Sequence, residues 1–376
     1  MSGPLEGITV IEIAGLGPVP FAGMILAGMG ADVVLVDRPG GPPTPDVMVG
    51  SVGRGKRSIA IDLKHLDGAA TLLRIVEGAD ALIEGFRPGV AERLGVGPDE
   101  CFGANSLLVY GRMTGWGRTG PYATMAGHDI NYIGLSGALH AIGDADRSIP
   151  PLNLVGDYGG GAMYLVTGVL AALVDRERSS GRVVEAAMVD GAASLMAPFY
   201  EMLAQGAWED ARASNLLDGA APFYTTYATS DGGQMAVGAL EPQFYAELLA
   251  GLGFEDAELP DRRDRERWPE LRERLADVFA RRSRAEWEVV FAGTDACVTP
   301  VLGMTEAPGH PANVERGVFV DGTGYPLPAA VPRFDDDVTI DLADGPTPGA
   351  DTDEILAEAG FGADEIARLR SAAAVG

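Results

Sequence analysis

The stretch ITVIEI (8–13), AGLGPVP (14–20), FAGMILAGMG (21–30), DVVLVD (32–37) decides the fold. Two short runs rich in Val and Ile flank a glycine-and-proline turn and one helix length of small, apolar residues. That order spells strand, turn, helix, strand. Parallel neighbours need a crossover of about a dozen residues or more, so the segment is a βαβ unit. The same alternation continues outward. IAIDL (59–63) reads as strand, LDGAATLLRIVEG (66–78) as helix, and DALIEGF (80–86), LLVYGRM (107–113) and VVEAAM (183–188) as strands. The expected class is α/β, with a Rossmann-like, doubly wound parallel sheet in the larger domain.

The middle of the chain is more helical. Gly127 to His140 reads as one helix, Asp157 to about Arg178 as an apolar, glycine-rich one, and Asp190 to Gln205 as a third. The large domain is thus expected over residues 1–205, followed by a linker at 206–222. FYTTYAT–SDGG–QMAVGAL then gives a hairpin signal, and three amphipathic helices follow at about 241–253, 266–281 and 283–293. This is a smaller α+β domain over 223–325, with a Pro- and Asp-rich returning linker at 326–350. Residues 351–376 are two C-terminal helices expected to pack on the large domain, with Thr352 as an N-cap.

The chain has 376 residues, which suits two domains. Its 28 basic and 54 acidic side chains give a formal net charge of −26, which repels nucleic acid and anionic membranes. Neither is expected as a partner. The two cysteines, Cys101 and Cys297, have no disulfide or zinc spacing, so reduced buried thiols are expected. The N-terminal MSGPLEGITVIEIAG lacks the basic n-region of a signal peptide. No run reaches the roughly 18 clean apolar residues of a membrane span. A cytoplasmic protein is expected.

Few residues stand out chemically. AGLGP (14–18) opens a helix, where backbone N–H groups attract anions, but the spacing fails the dinucleotide G-x-G-x-x-G pattern. Arg38 follows the second strand, where open parallel sheets bind ligands. Arg54, Lys56, Arg57, Lys64, Arg87 and Arg93 form the densest cationic stretch of an acidic chain and suggest a phosphate-rich ligand. Of four histidines, His128 follows Gly127 at a helix start, a setting that favours neutral imidazole able to accept a proton. Asp157 precedes three glycines, which let something approach the backbone closely, and Glu241 opens a helix after VGAL. Each has a structural reading beside the chemical one: helix-start histidine, N-cap aspartate, first-turn acid. Met113, Met125, Met163, Met188, Met196 and Met202 are candidates for a soft acyl surface or for core.

Taken in order, DLK (62–64), LIEGFRPGVAERLG (82–95), MTGWGRTGPYATMAGHDINYIGLSG (113–137), PLNLVGDYGGGAMYL (151–165), AAMVDGA (186–192) and VGALEPQFY (237–245) resemble the α-methylacyl-CoA racemases of the class III CoA-transferase superfamily. GHDINY (127–132) and EPQF (241–244) are similar to the racemase branch; the transferases carry a glycine run near 237–243 and use the aspartate at position 157 as a nucleophile. The resemblance implies that His128 and Asp157 stand on opposite faces of the α-carbon of a 2-methylacyl-CoA thioester. Glu241 would orient His128, and the Asp129 N–H would stabilise the enolate oxygen. It implies CoA contacts at Arg38, Ile61, Asp62, Leu63, Lys64, Gly85, Phe86, Arg87 and Arg93, and at Gly127, Ile130, Asn131 and Tyr132. Relatives often carry Ala where Ile61 stands, so backbone contact is implied there. The implied partners are the acyl-CoA substrate and a second copy, in an interlocked homodimer. No metal or organic cofactor is implied, CoA being part of the substrate. A CoA transferase with Asp157 as nucleophile is the alternative.

Overall fold

A computed structural model describes residues 3–40, 51–175, 180–254, 259–322, 324–334 and 342–376. The chain divides into two compact units, Met1–Ser136 with Pro151–Met196 and Gly317–Gly376, and Gly137–Pro150 with Ala197–Arg316.

The first unit is built on six parallel strands: β1 (Thr9–Ile13), β2 (Asp32–Asp37), β3 (Lys56–Ala60), β4 (Ala81–Glu84), β5 (Val109–Thr114) and β6 (Arg182–Ala187). Their order is β3-β2-β1-β4-β5-β6, the doubly wound arrangement whose direction of winding reverses between β1 and β4. Alternation along each strand feeds two cores. Ile11, Val34 and Leu82 meet helix α2 (Leu66–Val76) on one face. Val10, Val33 and Ala81 meet α1 (Pro18–Gly28) and a helix discussed below on the other.

Strand β3 starts at Lys56, three residues before the apolar run read as strand, and stops before Ile61. Its first residue is a buried ammonium, tolerated because Lys56 Nζ lies 2.6 Å from the Glu12 carboxylate of β1 and 2.9 Å from the Pro20 carbonyl. The expected helix 127–140 is two pieces. Helix α3 (Asp129–Leu135) ends at Ser136, and Gly137, at φ +83°, breaks it before a short turn at Ala138–Ala141. The helix expected from Asp157 begins earlier, as a π-helix over Leu154–Ala162, and runs on as α4 (Met163–Asp175). Its expected end near Arg178 lies outside the described residues, as does part of the returning linker. By length and composition Leu154–Asp175 is apolar enough to cross a membrane, against the expectation that no run would reach that length. In this fold α4 packs against β5 and β6. The expected helix 190–205 is likewise divided, into α5 (Met188–Leu195) of the first unit and Ala197–Ala204 of the second.

Residues 137–150 and 197–205, read as large domain, therefore belong to the second unit. Arg212 holds the 137–150 segment there, donating to the carbonyls of His140 (3.0 Å) and Asp144 (2.9 Å). The stretch read as a linker is a compact loop around Asn215, whose side chain bonds the Glu209 N–H and the Glu209, Ala211 and Asp218 oxygens. Beyond it the hairpin forms as read, β7 (Tyr224–Ala228) with β8 (Gln234–Gly238). A third antiparallel strand, β9 (Val298–Pro300), was too short to be read. Helices α6 (Pro242–Leu252), α7 (Trp268–Phe279) and α8 (Arg284–Phe291) cover this sheet with an aromatic core of Phe223, Tyr227, Phe279, Trp287 and Phe291. Cys101 is buried, but Cys297 is exposed, against expectation.

The chain returns to the first unit with a small hairpin (Phe319–Asp321 with Pro326–Pro328) and helices α9 (Thr352–Glu358) and α10 (Ala363–Ser371). Thr352 is the first residue of α9, not its cap, because its hydroxyl is used elsewhere. It donates to the Gly349 carbonyl and accepts from the Ala60 N–H, docking the helix on the end of β3.

Candidate active site

The carboxyl ends of β1, β2, β3 and β4 surround a cavity of about 220 Å³. Ile13, Val36, Ile61, Leu63, Phe86 and Leu94 make it apolar, and Arg38 and Lys64 bring cationic heads to its rim. It sits at the reversal of strand order, where open α/β sheets bind ligands. The volume suits a ring system, not an extended chain. Of the expected CoA contacts, Arg38, Ile61, Asp62, Leu63, Lys64 and Phe86 line it. Gly85, Arg87 and Arg93 do not. Ile13, Val36 and Leu94 were missed: Ile13 and Val36 are brought together by the convergence of strand ends, and half-buried Leu94 follows a short helical turn at Val90–Arg93, a placement no local pattern reveals.

The cationic cluster splits in two. Lys56 is paired with Glu12; Arg54 is buried on the Ser51 and Pro328 carbonyls; Arg57 bridges Asp32 and Glu358. These three are structural, which corrects the reading of one phosphate-binding patch. Arg38, Lys64, Arg87 and Arg93 are exposed and pair with no carboxylate among the described residues. Asp37, beside Arg38, is turned inward onto the Ser58 hydroxyl at 2.6 Å.

His128 is the exposed residue that caps α3, its backbone N–H bonded to the Asn131 side-chain oxygen at 3.0 Å. Asp129, only 5% exposed, points the other way. Its Oδ2 accepts from the backbone N–H groups of Gly156 and Asp157, each at 2.7 Å. One carboxylate thus ties the start of α3 to the π-helix that carries Asp157. π-turns inside helices are often found at functional sites, since they re-aim one residue. Asp157 lies within that turn and is not an N-cap. The pKa of its carboxyl is raised, chiefly by burial; the Asn153 amide (3.2 Å) opposes this, the Asp129 charge adds to it, and His128 opposes it. A capping aspartate would be pulled down, so this setting suits a group that must both take and give a proton. Asn153, four residues upstream, was not singled out, although that spacing places the two on one helix face.

Two glycine groups make room here. A Cβ on Gly17, at φ +73°, would lie 3.0 Å from Asp157 Oδ2, so the AGLGP turn runs against the carboxylate. What approaches the glycines after Asp157 is helix α5: a Cβ on Gly160 would lie 2.6 Å from the Ala192 nitrogen, and one on Gly191 only 1.8 Å from the Gly160 oxygen. Tyr132, buried, donates from its phenol to the Gly127 carbonyl at 2.5 Å and stands edge-on to Trp116 at 4.7 Å, fixing the backbone that presents His128. Ile130 and Asn131 are exposed on α3. Of the candidate methionines, Met113 and Met188 are core, while Met125 and Met163 are exposed.

Glu241 lies in the second unit, as the extended residue before α6, and makes no capping bond. Within the first unit the structure brings together His128, Asp129 and Asp157. Among the described residues no group of three or more His, Cys, Asp or Glu is arranged to hold a metal.

A family model described as CoA-transferase family III matches residues 5–352. The chain belongs to CoA-transferase family III. Within family III it is 46% identical to a mouse (Mus musculus) protein named alpha-methylacyl-CoA racemase, covering 98% of this chain and 96% of the relative. It is 45% identical to the human (Homo sapiens) protein of the same name, over the same shares. Among solved structures it is similar to a CaiB/BaiF family protein from Brucella suis, with a TM-score of 0.80 at 26% identity, covering 96% of this chain and all of that one.

Proposed function

We propose that this family III member interconverts the (R) and (S) epimers of 2-methyl-branched acyl-CoA thioesters by 1,1-proton transfer through an enolate. The observation that carries this reading is the 45–46% identity to alpha-methylacyl-CoA racemases over 98% of the chain. EPQF in place of a glycine run favours the same branch over CoA transfer.

In the proposed step one of His128 and Asp157 removes the α-proton as the C–H electron pair moves onto the thioester oxygen. The protonated form of the other then delivers a proton to the opposite face. General-base catalysis of this kind contributes about 10²–10⁴-fold. The Asp129 N–H, in the first turn of α3 and without an intrahelical acceptor, is assigned to the enolate oxygen. These roles call for no metal or organic cofactor. The nucleotide end of CoA is assigned to the β1–β4 cavity, with Arg38 and Lys64 meeting its phosphates. The homodimer, with Glu241 of one copy orienting His128 of another, is proposed with this reading; light scattering tests it, and a monomeric active enzyme would refute it.

Incubating one epimer with enzyme, a free carboxylic acid and hydroxylamine separates the two chemistries. Epimerisation is expected without transfer of CoA to the acid and without a trapped acyl-enzyme. A hydroxamate formed at position 157 would establish the transferase instead.

Two further outcomes are expected. Replacing both Arg38 and Lys64 by Ala should raise KM about tenfold at low ionic strength, with kcat within about twofold, and should flatten the salt dependence of KM. Steady-state kinetics at two salt concentrations checks this. Asp129→Asn should move the limb of the kcat/KM–pH profile that belongs to Asp157 to lower pH. Asp129 raises the Asp157 pKa by like charge, so neutralising it lowers that pKa whether Asp157 acts as base or acid. An unmoved profile would show that the two are not coupled.

A further inference from the structure

We infer that Glu84 is a positioning residue: its carboxylate fixes the Gly85–Phe86–Arg87 turn, which supplies the Phe86 wall of the nucleotide cavity. Glu84 ends β4 and is 3% exposed. Its Oε2 accepts the Phe86 N–H at 2.6 Å. On the other side of the turn, a Cβ on Gly85 would lie 3.0 Å from Val19 of α1, so the chain is pinned from both directions. The pinned turn carries Phe86, a wall of the cavity.

Glu84 is held at a cost. Burial pushes its carboxyl up to about 7, against the Phe86 N–H and Arg112, which pull it down. Arg112 Nε stands 3.6 Å from Oε1, beyond a hydrogen bond, while its Nη2 is committed to Glu92 at 2.6 Å. A buried carboxylate with so loose an ion pair is a poor device for stability. The short bond to the turn is the interaction it does make well. The proton-transfer scheme above gives Glu84 no part.

The inference rests on reading the β1–β4 cavity as the nucleotide site, and the test separates the two. Free CoA serves as the probe, with binding measured by calorimetry beside steady-state turnover of a 2-methylacyl-CoA. Wild-type protein that fails to bind CoA would refute the cavity reading. If wild type binds, Glu84→Ala should weaken CoA about tenfold and raise KM alike, with kcat within about twofold of wild type. Glu84→Gln, which keeps an oxygen for the Phe86 N–H, should bind within about threefold of wild type. Unchanged CoA affinity in Glu84→Ala, or equal losses in Glu84→Gln and Glu84→Ala, would overturn the role. Should Glu84→Ala not fold, amide exchange in wild type decides. Protection of the Phe86 N–H about tenfold above that of a free loop amide is expected, and exchange at the free rate would overturn the inference.

Discussion

Asp157→Asn should lower epimerisation about 10³-fold while leaving hydrogen exchange alive in one epimer only. The size follows from losing one general acid/base group. The asymmetry follows from having two. With Asp157 gone, His128 can still remove the proton from the epimer that presents it on its own face. The imidazolium then returns solvent deuterium to that same face, so the substrate is labelled without inversion. The other epimer, whose proton faces residue 157, is inert. His128→Ala should show the reverse pairing. Proton NMR of each pure epimer in D₂O, with each variant, reads all four combinations. Exchange of both epimers at equal rates by either variant would mean that a single base serves both faces.

Gly191→Ala is expected to destabilise the first unit by about 3 kcal/mol, a large effect for one methyl group. Its Cβ would lie 1.8 Å from the Gly160 oxygen and 2.6 Å from the Gly160 carbon, both backbone atoms of the π-helix. No rotamer can relieve a backbone clash, so α5 and the π-helix must separate. That separation moves Asp157, three residues before Gly160, away from Gly17 and Asn153. The midpoint of urea unfolding should therefore fall, and kcat should fall by more than the folded fraction explains. A variant as stable and as active as wild type would show that this packing does not position Asp157.

The central strands β1, β2 and β4 were legible because they are local runs of Val, Ile and Leu, buried along most of their length. Lys56 was misread because what makes it a strand residue is Glu12, 44 residues away, and a lone lysine in a basic stretch gives no hint of a buried partner. The extent of the unit containing His140 was missed for the same reason, since Arg212 holds that segment from 72 residues on. At the site, GHDINY and LVGDYGGG singled out His128 and Asp157, which the structure places at the cap of α3 and within the π-helix. The side chain of Asp129 was not legible as the tie between them, because its bonds to residues 156 and 157 are long-range and reach backbone atoms that leave no trace in composition. The π-helix was invisible too: the pattern of LVGDYGGGAMYL is that of any small-residue helix. The glycines after Asp157, read as letting something approach the backbone closely, do so for α5, which composition could not name.

The most direct measurement is the fate of one pure 2-methylacyl-CoA epimer incubated with wild-type enzyme in D₂O, with no acceptor acid present. The account predicts one deuterium at the α-carbon and convergence on a near-equal mixture of both epimers, as a two-base exchange through an enolate requires. A substrate that stays optically pure and unlabelled, while CoA moves to a carboxylate once one is added, would contradict it.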